Sequence, residues 1–525
     1  MNVKFVFGFL ILFLIGLGVG YLVHTPTEVP AKTTHSYIMN LYRIDGFPVC
    51  VYYFPANLPP NSTGPSQWTA FDNSPNRNPV FPGNLNVSWV FQQLMPAFSF
   101  GNISGWIKLI RTYSPQFREG YVQMMGDAVP VSYSNGIVYV SASDGVLYAL
   151  NAYTGKPVFI AMMPDTLMSQ PLIYGGMVYV GLGGAFFTYG QGLLNAYGGG
   201  HRGQFTGLSG LMALNSTTGK PVWFFITKSQ VMPTPVILNG VVYFDDGDGY
   251  MYALNATSGS EVWRIGSFGT ANMASLDYAN DSGRIILIAG FSSAYPVNYS
   301  SLVGVSTNGT VLWRTPLPFT YDSGPGDAVM SVYGNYLVDG FISGYPVRHG
   351  PLFNETLVRE VVMTLNVTDG RLIWLRNVSG YVLPTGANNG ESPSVVKGMI
   401  LVNDRKDHVI YALNLSDGRE LWNDSLVPAA PGLIGPVYVD GLVLNPDFQY
   451  IQVINATTGK VVNLYPVGQD TVIDTPTVVG DTVFVDGGFG YVEAISLYYL
   501  VHNTTSIFQI FSSKLVSAET YVGMS

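Results

Sequence analysis

Charge is what this sequence has least of. Asp, Glu, Lys and Arg make up 11% of 525 residues, against about 25% in an ordinary soluble domain. The net charge of −9 is spread over 33 acidic and 24 basic side chains without a basic run. A phosphate backbone finds no electrostatic footprint there, which excludes nucleic acid as a partner. Cysteine is nearly absent as well: Cys50 stands alone, so no intrachain disulfide forms and the fold rests on its apolar core. The six histidines show no ligand spacing on a strand or helix, and no metal site is expected.

Gly (60), Pro (33), Tyr (34) and Phe (29) are plentiful, the mixture of a β-rich, turn-rich chain. One long apolar run exists, Phe5 to Val23 after Lys4. Its length lies between that of a signal peptide's apolar region and that of a membrane-spanning helix. The following "GVGYLVHTPTEVP" lacks a clear small-x-small cleavage site, so cleavage and retention as an anchor both stay open. Either way the body is expected outside the cytoplasm, secreted or held at the outer face of the cell membrane, with membrane contact through this segment. Fifteen Asn-x-Ser/Thr sequons agree with export. Six of them fall in a repeated turn, while the other nine, including Asn61, Asn298 and Asn354, suit a glycosylated surface.

That turn organises the chain. It reads "NAYTG", "NSTTG", "NATSG", "STNG", "NVTDG", "NLSDG" and "NATTG", ending at Gly155, Gly219, Gly259, Gly309, Gly370, Gly418 and Gly459. Four residues after the glycine stands Phe159, Trp223, Trp263, Trp313, Trp374 or Trp422, and only Asn463 departs. Spacings of 40 to 64 residues match four-stranded propeller blades with loops of variable length. An eighth unit, "IDTPTVVGDTVFVDGGFGYVEAISL", lacks its Trp strand, whereas "NLNVSWVF" supplies an isolated one with Trp89. The expected fold is therefore all-β: an eight-bladed β-propeller closed by an N-terminal strand, with seven blades as the alternative. The expected layout is a signal peptide or anchor over 1–25, a linker over 26–65, the propeller over 66–503 and a tail over 504–525.

"VYVSASDGVLYALNAYTGKPVF", "MYALNATSGSEVW" and the lead-in "WTAFDNSPNRNPVFPG" resemble the tryptophan-docking repeats of quinoprotein dehydrogenases and their cofactor-free relatives, over about residues 66 to 500. The resemblance implies a fold more than a function. Quinoprotein dehydrogenases hold pyrroloquinoline quinone between a Trp and a disulfide of adjacent cysteines, with calcium and a catalytic Asp. Cys50 alone departs from that pattern, so no cofactor is expected. "DDGDGY" (Asp245, Asp246, Asp248) echoes a calcium loop without the rest of it and reads as a hairpin.

In a propeller, residues ahead of each inner strand project towards a shared channel. Aligned on those strands, Asp127, Asp327, Glu391 and Asp474 occupy nearly one blade position, as channel acids or as simple turn caps. Cations sit in insertions: His201 and Arg202, Arg348 and His349, and Arg405, Lys406 and His408, in "NDRKDHV", which also reads as a plain hairpin turn. Such loops suit a small anionic substrate. Within the superfamily the chain is most similar to the exported tetrathionate hydrolases of acid-living sulfur oxidisers. That resemblance implies S–S cleavage of a small dianion, with Asp327 as general base and Tyr321 and Asp322 nearby. Low charge density suits acid. A membrane-tethered scaffold binding envelope proteins is the opposing reading, a quinone-dependent alcohol or sugar dehydrogenase a further one, and a homo-oligomer stays open.

Overall fold

The computed structural model describes residues 37–60, 72–94, 129–183, 209–269, 275–292, 300–320, 329–380, 392–425, 435–467 and 474–522, apart from short breaks within these ranges. They form eight sheets, largely antiparallel, six of four strands and two of six. Sheets are numbered here in chain order, and strands by their order within the repeat.

The first strands are short: Ser132–Ser134, Leu172–Tyr174, Val236–Leu238, Asp277–Asp281, Ser331–Tyr333, Ser394–Val396, Val437–Val439 and Thr477–Val479. Belt-like hydrogen bonds join neighbouring ones. Ser132 Oγ donates to the Pro171 carbonyl, the Gln170 amide to Thr234 Oγ1 and the Thr234 amide to Ser275 Oγ. Ser331 Oγ donates to the Pro393 carbonyl, the Gly435 amide to Thr475 Oγ1 and Thr477 Oγ1 to the Val131 carbonyl. First strands thus lie innermost, and the buried faces of the sheets pack on one another around them.

The repeated turn explains the docking. Asn255 Oδ1 accepts from the Thr257 and Ser258 amides, which closes the turn. Gly259 follows at φ +71°, and a Cβ there would lie 2.6 Å from the Trp223 ring of the preceding sheet. Only glycine satisfies both demands. Trp223 Nε1 then donates to the Ala256 carbonyl at 2.9 Å. Trp263, Trp313, Trp374 and Trp422 repeat this bond on Thr307, Val367, Leu415 and Ala456. Trp89 makes it from sheet 8 to Ala152 of sheet 1. At the exceptional position, Asn463 Nδ2 donates to the Leu500 and Asn503 carbonyls instead, around a short helix at Leu497–His502 that follows the third strand of sheet 8.

Trp89–Gln92 pairs antiparallel with Tyr491–Ser496, as Trp89 with Ala494 and Gln92 with Tyr491. Residues 38–53, expected to be linker, instead form the hairpin Ile38–Ile44 and Phe47–Tyr53, whose second strand pairs with Pro157–Met162 of sheet 1. Burial of Val49, Cys50 and Val51 is the physical reason. In the expected tail, Val516–Ser517 pairs parallel with Phe91 and Gln92, and Ala518, Tyr521 and Val522 are buried. The apolar stretch Phe5 to Val23 lies outside the described residues, among which no helix is long and apolar enough to cross a membrane.

Residues 72–81, which turn at Ser74–Arg77 where the Arg77 amide donates to the Ser74 carbonyl, make a strap along the first strands. The Asp72 amide donates to Gln170 Oε1 of sheet 2. Pro75, Asn76 and Pro79 accept from the amides of Val332, Val395 and Val478, in sheets 5, 6 and 8. Asn78 exchanges two bonds with the Tyr438 backbone of sheet 7, and the Phe81 ring meets Tyr133 of sheet 1 at 6.1 Å. Ten extended residues span at most about 35 Å. A strap this short reaches so many first strands only from the space they all face.

Candidate functional site

Strand direction sorts the candidate residues. First and second strands are antiparallel, so within each sheet the approach to the first strand and the turn after the second strand lie at the same end. Asp127, Asp327, Glu391 and Asp474 belong by chain position to such approaches. His201 and Arg202 belong to the connection between Met177–Leu182 and Gly210–Asn215, and Arg405, Lys406 and His408 to that between Met399–Asp404 and Val409–Asn414. Asp127, His201, Arg202, Tyr321, Asp322, Asp327, Glu391, Arg405 and Lys406 themselves lie outside the described residues. His408 is exposed, with φ +56°. Arg348 and His349 are the last residues of Tyr336–His349, their backbone paired with Asn354 and Phe353. That 14-residue strand and its partner Phe353–Asn366 form the longest hairpin among the described residues.

Asp474 is the one described member of the acidic set. It is 1% exposed and directly precedes Thr475, whose hydroxyl accepts from Gly435 in the inner belt. This places it on the first-strand approach of sheet 8.

A second acidic series had not been expected. Second strands end in Asp245, Asp404, Asp447 and Asp486, in "VYFDD", "LVND", "LNPD" and "VFVD", and all four are buried. Gln93 Nε2 donates to Asp486 Oδ1 at 3.0 Å. Aligning second strands, as first strands had been, exposes this series in the sequence. In "DDGDGY" strand alternation sends Asp245 to the face opposite Asp246. Asp246 Oδ1 accepts from the Asp248 amide and Asp248 Oδ1 from the Tyr250 amide, so the stretch is a hairpin turn. Among the described residues no group of three acidic, His or Cys side chains could hold a metal ion.

Deeper in, Arg77 and Asp277 form a fully buried ion pair at 3.4 Å. Arg77 Nε donates to the Met330 carbonyl at 2.7 Å, and Ser394 Oγ donates to the Arg77 carbonyl at 2.9 Å. Burial pushes the Asp72 and Asp277 carboxyls up to about 7, against the pull of the Arg77 guanidinium. It lifts Asp339 to about 8 and Asp245 well above the usual carboxylate range. Each group holds its proton more tightly in the folded chain than at the ordinary value near 4. Their contribution to stability is therefore complete below about pH 4 and is lost as pH rises through about 7 to 8. The melting temperature is expected to rise steadily from pH 8 to pH 4; calorimetry showing its maximum at neutral pH would contradict this.

The described residues do not fit a quinone held in the family's manner. Cys50 is buried in the added hairpin, facing Met162 across a strand pair. Trp89, Trp223, Trp263, Trp313, Trp374 and Trp422 all give their indole N–H to neighbouring sheets.

The profile of the PQQ_2 family, described as outer membrane protein assembly factor BamB, matches residues 63–188, 181–341 and 300–506. The chain belongs to this family. It is similar to the tetrathionate hydrolase of Acidithiobacillus ferrooxidans, with 28% identity over 86% of this chain and 90% of that one. The tetrathionate hydrolase of Acidianus ambivalens is also 28% identical, over 72% of each chain. The BamB of Shewanella oneidensis is 23% identical over 55% of this chain and 68% of its own. Among solved structures, the quinohemoprotein alcohol dehydrogenase of Comamonas testosteroni matches with TM-score 0.54 and 14% identity over 83% of this chain and 81% of its own. That similarity concerns the β-propeller fold alone. The resemblance to the quinoprotein superfamily, and within it to tetrathionate hydrolases, holds.

Proposed function

We propose that this protein is an extracytoplasmic hydrolase of a small sulfur oxyanion, most closely tetrathionate, working at acidic pH in an eight-bladed ring closed by the strand of Trp89. The observation that carries the reading is the similarity to the Acidithiobacillus ferrooxidans enzyme, 28% identical over 86% of this chain and 90% of its own, where assembly factors match at 21–25% identity over 25–67% of this chain. The series of docking contacts, with hydrogen bonds from Trp89 on Ala152 to Asn463 on Leu500 and the Phe159 ring packed on Gly219 between sheets 1 and 2, supports the closed ring.

On this reading one face of the ring binds the dianion. Arg348, His349, His201 and Arg202 on the long connections supply positive charge, and Asp327 takes a proton from water or a sulfur-bound nucleophile as the S–S bond breaks. Asp127, Glu391 and Asp474 line the same approaches, and crowded carboxyls raise each other's pKa, which makes the ionised one a stronger base than an isolated carboxylate. The raised Asp72, Asp277 and Asp339 favour an acidic working range too.

The test is tetrathionate consumption by the purified full-length protein between pH 2 and 7, with its absorption spectrum recorded alongside. Turnover with a featureless visible spectrum is expected. Absence of turnover on any sulfur oxyanion would favour a scaffold of the assembly-factor kind, and a stoichiometric quinone chromophore would favour a dehydrogenase.

A further inference from the structure

Among the described residues the fourth strands of sheets 2 to 7 end in bare edges, whereas those of sheets 1 and 8 are covered by the hairpin Ile38–Ile44 and Phe47–Tyr53 and by Val516–Ser517. The hairpin moves the edge of sheet 1 outward instead of closing it. Its outer strand lies against Pro221–Ile226 of sheet 2, and Tyr42 and Phe225 pack on one core cluster there. Alternation sets Ile38 on the face of Tyr42, towards sheet 2, and Met39 and Leu41 on the opposite face. All three are 38–51% exposed, and Val222 and Ile226 on the adjoining edge of sheet 2 are exposed as well. An edge strand that is apolar on both faces and wet on both is poorly matched to water.

Charge separates this part of the rim from the rest. The chain is acidic overall, yet it holds no carboxylate between Asp165 and Asp245, the stretch that contains all of sheet 2, and residues 29–71 contribute only Asp45. Exposed Lys220 and Lys228 bracket Pro221–Ile226, and Arg43 is exposed on the hairpin. A comparable apolar stretch, Leu372, Ile373 and Leu375 with Leu421, has cations paired with carboxylates instead: Arg371 with Asp369 and Arg376 with Glu420. Position agrees with charge. The described chain starts at Tyr37, beside the patch and 14 residues beyond the apolar run Phe5 to Val23, and such a length spans at most about 50 Å.

We propose that the outer strand Ile38–Ile44 and the edge Pro221–Ile226 form a face that rests on an anionic lipid bilayer. The apolar side chains enter the headgroup boundary, and Lys220, Lys228 and Arg43 meet lipid phosphates. Stable attachment takes more than one signal, and an apolar run together with a basic, apolar face supplies two. The bilayer then meets the rim, and the first-strand approaches stay in water.

The test uses the full chain and three single variants, Leu41→Cys, Ile226→Cys and, on the comparison stretch, Leu372→Cys, each labelled with a polarity-sensitive fluorophore. Cys50 does not compete for label, because it is 2% exposed and burial pushes its thiol up to about 11. Protein floated with vesicles of equal parts phosphatidylglycerol and phosphatidylcholine is expected to show blue-shifted emission at positions 41 and 226 that nitroxide-labelled lipid quenches, and neither effect at 372. Lys220→Gln combined with Lys228→Gln is expected to weaken association with these vesicles about 30-fold, at about 1 kcal/mol per cation, and to leave association with pure phosphatidylcholine vesicles unchanged. No protein floating with the anionic vesicles, no quenching at 41 and 226, equal quenching at all three positions, or undiminished association of the double lysine variant would overturn the proposal. So would a blue shift at 41 and 226 that grows with protein concentration and ignores the nitroxide, which would put a second copy of the chain on this face.

Discussion

Asp327→Asn is expected to lower tetrathionate turnover by about 10² to 10⁴ at acidic pH and to leave the melting temperature unchanged. The amide keeps the size and hydrogen-bonding capacity of the carboxyl but cannot accept the proton. Position favours Asp327 over its three companions. It lies in "YDSGPGDAV", ahead of a first strand that the strap holds through Met330 and Val332. Its sheet also carries the 14-residue hairpin strands with Arg348 and His349 at the tip. Asp474, by contrast, is buried to 1% beside the belt hydroxyl of Thr475, so Asp474→Asn serves as the control at the equivalent place in sheet 8. Arg348→Ala is expected to act mainly on KM, because a cation that holds a dianion does so in ground state and transition state alike. Undiminished turnover in Asp327→Asn would remove that residue from the mechanism, and an equal loss in Asp474→Asn would shift the base to a shared acidic set.

What was legible in the sequence was local. A turn that needs Asn Oδ1, a positive φ and room for an indole ring repeats its letters, and those letters gave sheet order and the docking residues. Trp89 was found because its strand was visibly missing from the last unit. The hairpin over 38–53 escaped because its partner, Pro157–Met162, lies about a hundred residues downstream and nothing in "IMNLYRI" names it. The strap escaped for a stronger reason. "DNSPNRNPVF" has no periodicity and reads as a loop, since its hydrogen bonds go to strands 319 and 360 residues away. The buried carboxyls at second-strand ends are single letters in apolar runs. Alternation hides them, because a strand that is buried on both faces gives no polar position to compare with.

Deletion of residues 66–92 is expected to abolish folding, seen as loss of a cooperative melting transition. Two independent losses make it so. Removing Trp89–Gln92 strips sheet 8 of the strand paired with Tyr491–Ser496 and breaks the indole bond to Ala152 of sheet 1, which leaves the edge at Tyr491–Ser496 unpaired. Removing 72–81 leaves the inward amides of Val395, Tyr438 and Val478 without their acceptors and takes the guanidinium of Arg77 from the buried carboxyl of Asp277. An unsatisfied buried polar group costs about 1–3 kcal/mol, more when charged, and the total stability of a domain is only about 5–15 kcal/mol. Trp89→Ala, which spares the strap and the strand pairing, separates the two: truncating a buried Trp costs about 3–5 kcal/mol, so this variant is expected to melt cooperatively at a lower temperature. A deletion variant that melts like wild type would show that neither strand nor strap closes the ring. A Trp89→Ala variant as unfolded as the deletion would place the closure in the indole contact alone.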